Sequence, residues 1–487
     1  LKNISVIGSG FSGLAAAATL AKAGNKVTVF EKNKTLGGRA RKFEVQGFTF
    51  DMGPSWYWMP EVFEQFYQRF GHTTKDFYNL LRLDPSYTVY FSDKEIVDVP
   101  ASLSELYELF ESIEKGSADK LKKFLAEAHY KYEVGMNEFV WKPSHSILEF
   151  MDFRIAKSAL KLQMFSSISS QIRKNFTHPY LRNILEFPVL FLGAKPQNTP
   201  ALYSLMNYAD LSLGTWYPMG GMHEIVKAMV QICEEQGVVF KTDNPVHKIE
   251  DIPNGIKIKH TSGEDVFDYC VASADYHHVE TQLLDAGTRN YKPEYWDKKT
   301  FAPSSLLYYI GVDKKIPKIK HHNLFFDKDF DQHADEIYTT KTWPADPLFY
   351  ACCPSKTDLH MAPSGQENLF ILIPIAAGMD NNPVEKERLY ANVMDRLEKV
   401  AGINIRESIV YKKEYSVENF IEDYNSYKGN AYGLANTLMQ TAFLKPKIKN
   451  KNLDRLYYTG QLTTPGPGVP PSLISGQVVA AEIIKQP

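Results

Sequence analysis

A glycine-rich turn eight residues into the chain, set between a β-branched run and an alanine-rich one, constrains the fold most. Gly8-Ser9-Gly10-Phe11-Ser12-Gly13 comes after a run at 3–7 that reads as a buried strand and opens a run at 11–23 that reads as a helix. Gly8 suits the tight turn, Gly10 lets backbone approach a diphosphate, and Gly13 lets helix and strand pack closely. The helix N-terminus turns its N–H groups and positive dipole end toward the phosphates, with Ser12 in the first turn. A second strand at 26–30 ends at Glu31, where a carboxylate can accept both ribose hydroxyls. An acid there selects an unphosphorylated ribose, hence FAD or NAD rather than NADP.

Two motifs directly after the βαβ unit favour FAD. These are Leu36-Gly37-Gly38-Arg39-Ala40 and Phe50-Asp51-Met52-Gly53-Pro54-Ser55. Gly38 and Arg39 can close backbone and guanidinium over a long, bent cofactor, the guanidinium offsetting diphosphate charge. Ser55 belongs to the same expected site, and the aromatic cluster Trp56-Tyr57-Trp58 is expected next to the flavin.

Other classes recede. A net charge of −2 gives no general reason to bind nucleic acid. Four cysteines at irregular spacing make neither a disulfide framework nor a zinc site. Vicinal Cys352-Cys353 read as half-buried thiols in a strand, and His277-His278 and His321-His322 as structural or solvent-facing pairs, so no metal is expected. The longest apolar run, 369–379, contains Pro374 and falls short of the ~20 residues that span a bilayer. The first residues lead straight into a strand, so no signal peptide is expected and a reducing cytoplasm fits.

The pattern predicts an α/β chain. A Rossmann-type FAD-binding domain is expected from discontinuous segments 1–85, 216–285 and 441–487. Segment 86–215 is expected to be largely helical and to face a membrane. Segment 286–440 is expected to supply the substrate-binding sheet of an α+β domain. Residues 188–193 read as a short apolar segment.

With these motifs the sequence resembles the FAD-dependent amine oxidase and phytoene desaturase superfamily. Tyr217-Pro218-Met219-Gly220-Gly221-Met222 is similar to the family turn before a helix and a strand, after which Val246 would sit at the adenine. Val271-Ala272-Ser273-Ala274-Asp275 looks like the return to the cofactor domain. Phe301-Ala302-Pro303-Ser304-Ser305, His322-Asn323-Leu324-Phe325-Phe326 and Ala362-Pro363-Ser364-Gly365 resemble bacterial carotenoid desaturases, of the phytoene and hydroxycarotenoid groups. So does 456–470, with Thr459-Gly460-Gln461 and Pro465-Gly466-Pro467-Gly468-Val469-Pro470. The resemblance implies Gly460 at the diphosphate, Gly468 and Val469 at the isoalloxazine, and a final helix aimed at the ring.

The resemblance further implies dehydrogenation of carbon–carbon single bonds in a long polyene, with oxygen or a quinone as electron acceptor. Some phytoene desaturases carry an Arg-Asp pair where this chain has Arg154-Ile155, so no catalytic residue is carried over. That departure favours 3,4-desaturation of a 1-hydroxylated carotenoid, with phytoene as the alternative substrate. A helix at 148–165 would place Leu148, Met151, Ile155 and Leu162 on one face and Arg154, Lys157 and Lys161 on another. It is therefore a candidate for docking the protein peripherally on a cytoplasmic membrane surface, and the same pattern equally suits an ordinary core-facing helix with a solvated basic side. An amine or protoporphyrinogen-type oxidase, or a non-enzymatic prenyl-lipid binder of the same fold, would share the cofactor motifs.

Overall fold

The computed structural model describes residues 1–146, 166–190, 193–437 and 439–486. Short Val/Ile-rich runs buried on both faces pair in parallel. Asn3–Ile7 lies between Lys26–Phe30 and Tyr269–Ala272, with Val239–Lys241 and Leu456–Tyr458 outside them. Three stretches far apart in sequence thus complete one five-stranded Rossmann-type sheet, as expected of discontinuous segments.

Two helices pack on this sheet and on each other. In Phe11–Lys22 the residues Ala15, Ala16, Ala17 and Ala18 are all fully buried. The reason is the approach of Val469–Ile484. A Cβ placed on Gly476 would lie 2.2 Å from the Ser12 carbonyl oxygen and 2.9 Å from the Ala15 Cβ. Only small side chains permit that contact.

A second, seven-stranded sheet runs Ile409–Tyr415, Ser304–Val312, Glu367–Ile375, Phe349–Cys352, His322–Phe325, Tyr87–Tyr90, Ile96–Val99. Its neighbours are antiparallel except for the pair His322–Phe325 and Tyr87–Tyr90. Strand alternation divides its residues. Leu306, Tyr308, Ile310, Ile371 and Ile373 pack with Leu389, Val393, Met394 and Leu397 of the helix Pro383–Ala401. Ser305, Leu307, Phe370 and Leu372 turn the other way and line a cavity. A three-stranded antiparallel sheet, Val246–Ile252, Gly255–His260 and Gly263–Phe267, adjoins the cofactor sheet.

Between the sheets' segments lie the helices Leu103–Ile113, Ser117–Val134, Ile168–Asn175 and Pro179–Leu190. Pro188 sits inside the last of these rather than in a separate apolar segment. It denies the Ile184 carbonyl its helical donor, but Ile184, Leu185, Phe187 and Val189 around it are all buried, which holds the helix together. The proposed membrane helix at 148–165 lies outside the described residues. Among the described residues no helix is long and apolar enough to cross a membrane.

Candidate active site

One cavity of about 370 Å³ gathers the expected site. Gly8, Gly10, Ser12, Glu31, Gly38, Arg39, Ser55, Val246, Gly460, Gly468 and Val469 all line it. Gly13 does not. Its part is structural: a Cβ there would lie 2.1 Å from the Gly8 carbonyl oxygen, so glycine lets the helix close on the strand. Gly8 holds φ +98° and donates its N–H to Phe30 O at 2.8 Å. A Cβ on Gly10 would meet nothing within 4 Å, so the absent side chain leaves room for a ligand there.

The polar end of the cavity is tightly built. Glu31 accepts from Ser9 N at 3.0 Å and Ser9 Oγ at 2.6 Å through one oxygen. Through the other it accepts from Asn33 N at 2.9 Å and Asn33 Nδ2 at 3.0 Å. A ribose diol at this carboxylate therefore replaces the Ser9 hydroxyl or the Asn33 amide, both of which can rotate away. Arg39 donates to Ser426 Oγ at 3.1 Å and lies over the Tyr424 ring at 5.0 Å. Its Nε has no partner among the described residues. Asp275 is buried beside it. Burial pushes this carboxyl up to about 6, while Arg39 and the N–H groups of His278 and Tyr427 pull it back. A guanidinium with an unused N–H, a glycine turn open to solvent or ligand, and a strand-end carboxylate together fit a dinucleotide diphosphate and ribose.

The other end is aromatic and aliphatic. Trp56 and Trp58 line it with Leu307, Tyr350, Phe370 and Leu372, whereas Tyr57 points away and bonds Tyr78 Oη at 2.9 Å. The charged residues of the lining, Glu31, Lys32, Arg39, Asp275 and Asp423, cluster with the glycine-turn end. Lys32 and Asn33 hold the backbone of Glu422 and Asp423, and Arg39 stacks on Tyr424. Asp51 lies just outside the cavity, accepting from Met222 N at 2.7 Å and His223 N at 3.0 Å. It thereby joins two motifs of the sequence.

Several sequence expectations need correction. Cys352 and Cys353 are fully rather than half buried. His277-His278 begins a helical turn, not a strand, and His278 lines the cavity. His321 and His322 are both buried, which agrees with the structural alternative of their reading and removes the solvent-facing one. Donor atoms of His321, His322 and Cys352 lie within 4.8 Å of one another. Spacing could not show this grouping, because His322 and Cys352 meet as cross-strand partners. Each imidazole Nδ1 there already pairs with a hydroxyl, of Thr357 at 2.7 Å and of Tyr350 at 2.6 Å. Tyr350, Phe370, Asp275 and Asp423 also line the cavity, beyond the site residues that the sequence indicates. Only strand alternation around Phe349–Cys352 and Glu367–Ile375 could have pointed to the first two.

Comparison with known proteins decides what such a cavity belongs to. The family model "Flavin containing amine oxidoreductase" matches residues 11–484. The chain belongs to this flavoenzyme family. Its cofactor is FAD, and it is an oxidoreductase. A carotenoid 3,4-desaturase of Haloarcula japonica is 41% identical over 99% of this chain and 98% of its own length. A 4,4'-diapophytoene desaturase (4,4'-diaponeurosporene-forming) of Staphylococcus haemolyticus is 31% identical, again over 99% and 98%. A solved putrescine oxidase double mutant shares the fold with a TM-score of 0.65 at 13% identity, covering 100% of this chain and 99% of that one. In this flavoenzyme the final helix Val469–Ile484 is preceded by its N-cap Gly468, φ +111°, a positive φ that glycine tolerates.

Proposed function

We propose that this flavoenzyme is a carotenoid desaturase. It would dehydrogenate carbon–carbon single bonds of a long polyene, at the 3,4 position of a 1-hydroxylated carotenoid in preference to phytoene. One observation supports this most: the cavity joins a charged dinucleotide cradle to an end walled by Trp56, Trp58, Leu307, Phe370 and Leu372. A long apolar polyene fits that neutral aromatic and aliphatic wall. The names of the full-length desaturase relatives support the same substrate class.

In this reading segments 1–85, 216–285 and 441–487 carry the cofactor, and 86–215 and 286–440 the substrate. Glu31 binds ribose, Val246 adjoins the adenine, and Gly8, Gly10, Ser12, Gly38, Arg39 and Gly460 surround the diphosphate. Ser55, Gly468 and Val469 border the ring. Bound FAD supplies the hydride acceptor. The protein's own contribution is to hold the polyene against the ring and to exclude water, since conjugation spreads the developing positive charge. Electrons pass on to oxygen or a quinone. Peripheral docking through 148–165 would give access to a substrate that resides in the bilayer.

Anaerobic incubation of the yellow protein with phytoene and, separately, with a 1-hydroxylated carotenoid tests the reading. Chromatography should show a product one double bond longer, formed faster from the hydroxylated substrate. Unchanged pigment in both would overturn it.

A further inference from the structure

The hydroxyls at the aromatic end of the cavity are not all engaged. Tyr350 Oη is engaged twice, donating to Ser55 Oγ at 3.0 Å and meeting Nδ1 of His322 at 2.6 Å. Ser305 lines the same cavity and is 1% exposed, yet its Oγ has no hydrogen-bond partner among the described residues. Its cross-strand neighbour, Pro374, has no N–H to give. A buried polar group left in this state costs free energy, which a ligand that supplies the missing bond recovers.

Tyr432 stands beside Ser305. The Ala431 N–H donates to Pro303 O at 3.0 Å, which brings the two segments together, and Tyr432 lines the cavity. Burial raises the Tyr432 phenol and the Ser305 hydroxyl pulls it back, so the two groups are neighbours although Ser305 Oγ is not hydrogen-bonded. Tyr338 Oη, near enough for Tyr432 to act on it, is likewise buried without a partner among the described residues. Register fixes where Ser305 sits. Leu307 pairs with Leu372 and Leu372 with Tyr350, so these three make one row across the cavity side of the sheet. Ser305 belongs to the next row, roughly 7 Å along at the usual strand rise.

We propose that Ser305 and Tyr432 form a subsite for the C1 hydroxyl of the substrate, and so select a 1-hydroxylated carotenoid over one that lacks the group. The proposal rests on the carotenoid-desaturase reading and assigns residues to its substrate preference.

An alcohol donates one hydrogen and accepts others, so the substrate O–H can donate to Ser305 Oγ while its oxygen accepts from Tyr432 Oη. Only C2 separates the carbon that bears this hydroxyl from the C3–C4 bond. A group that holds the hydroxyl therefore also sets which carbons of the polyene lie against the flavin. A polyene without the hydroxyl expels water from the wall and leaves both side chains unpaired. That penalty makes a hydrogen-bonding subsite discriminating, where an apolar wall scarcely separates chains of the same shape. Ser305 and Tyr432 move no proton and no electron, and are specificity-determining residues.

The test sets two carotenoids that differ only in the C1 hydroxyl in competition for FAD-loaded protein in detergent. The product ratio then reads the ratio of their kcat/KM values. The parent should favour the hydroxylated carotenoid. Ser305→Ala and Tyr432→Phe should each lower that preference roughly 5-fold or more, the low side of the penalty for an unpaired buried group, with FAD content at the parent level. Independently of turnover, the two desaturated products can be titrated against tryptophan fluorescence, to which Trp56 and Trp58 of the wall contribute. The hydroxylated product should bind the parent more tightly than the other, and the variants should bind the two alike. A preference kept in either variant would overturn the subsite alone, as would one lost only together with FAD. A parent that converts both carotenoids without favouring the hydroxylated one would overturn the subsite and leave the desaturase reading standing. A parent that converts neither would overturn both.

Discussion

At Glu31 four donors of the chain converge on one carboxylate, so a ribose held there as proposed displaces a side-chain donor. Glu31→Ala removes the ribose contact and also frees the Ser9 and Asn33 N–H groups, so much of the FAD should dissociate, read as a fall in flavin absorbance per protein after desalting. Gly468 makes a different demand. A β-branched side chain at φ +111° is strained and also approaches Pro471, whose Cδ would lie 3.2 Å from the new Cβ. Gly468→Val should cost turnover more than thermal stability. Asp210 gives a test by pH. It is buried, accepts from Tyr87 Oη at 2.9 Å, and burial pushes its carboxyl up to about 7. A carboxyl whose folded pKa exceeds its unfolded value binds more protons when folded, so its ionisation costs stability as pH rises between the two values. Asp210→Asn removes that ionisation. The Tm of the variant relative to the parent should therefore be higher at pH 8 than at pH 5.

Among elements, the two cofactor helices depend on one close crossing, which Gly476 and the alanines of the first helix permit. Gly476→Val should lower stability by more than the ~1–3 kcal/mol usual for overpacking, because the Ser12 carbonyl oxygen is backbone. A strongly depressed Tm with loss of FAD would show it. The same crossing marks how far the sequence could be read. The glycine turn, Glu31 and the Thr459-Gly460 turn that follows the strand at 456–458 carry local signals, and the structure brings them to one cavity. The order of the seven-stranded sheet carries none, since Tyr87–Tyr90 pairs with a strand more than two hundred residues on. Tyr350 and His322 meet Ser55 only through that order. From sequence alone the buried histidines therefore read as structural or solvent-facing. Asp51 and Gly221 were visible as separate motifs, but their contact, 2.6 Å from a Cβ on Gly221 to Asp51 Oδ2, was not.

In the whole molecule a cofactor sheet is coupled to a substrate cavity, with a membrane surface proposed as the source of substrate. If 148–165 docks there, liposome flotation should recover the protein with anionic vesicles more than with neutral ones. Recovery should fall with salt, over a Debye length of about 8–10 Å, and after charge reversal at Lys157 and Lys161. Flotation absent throughout, with detergent-dispersed carotenoid still converted, would remove the docking proposal and leave the chemistry intact. The flavin itself reports that chemistry. In an anaerobic mixture of purified yellow protein with one equivalent of 1-hydroxylated carotenoid, and in parallel with putrescine, the flavin band should be followed together with the pigment spectrum. A carotenoid desaturase is expected to show flavin bleaching by the carotenoid, whose own absorption moves to longer wavelength, and no change of the band with putrescine. Bleaching by putrescine, with the carotenoid spectrum and the flavin both unaltered by mixing, would contradict it.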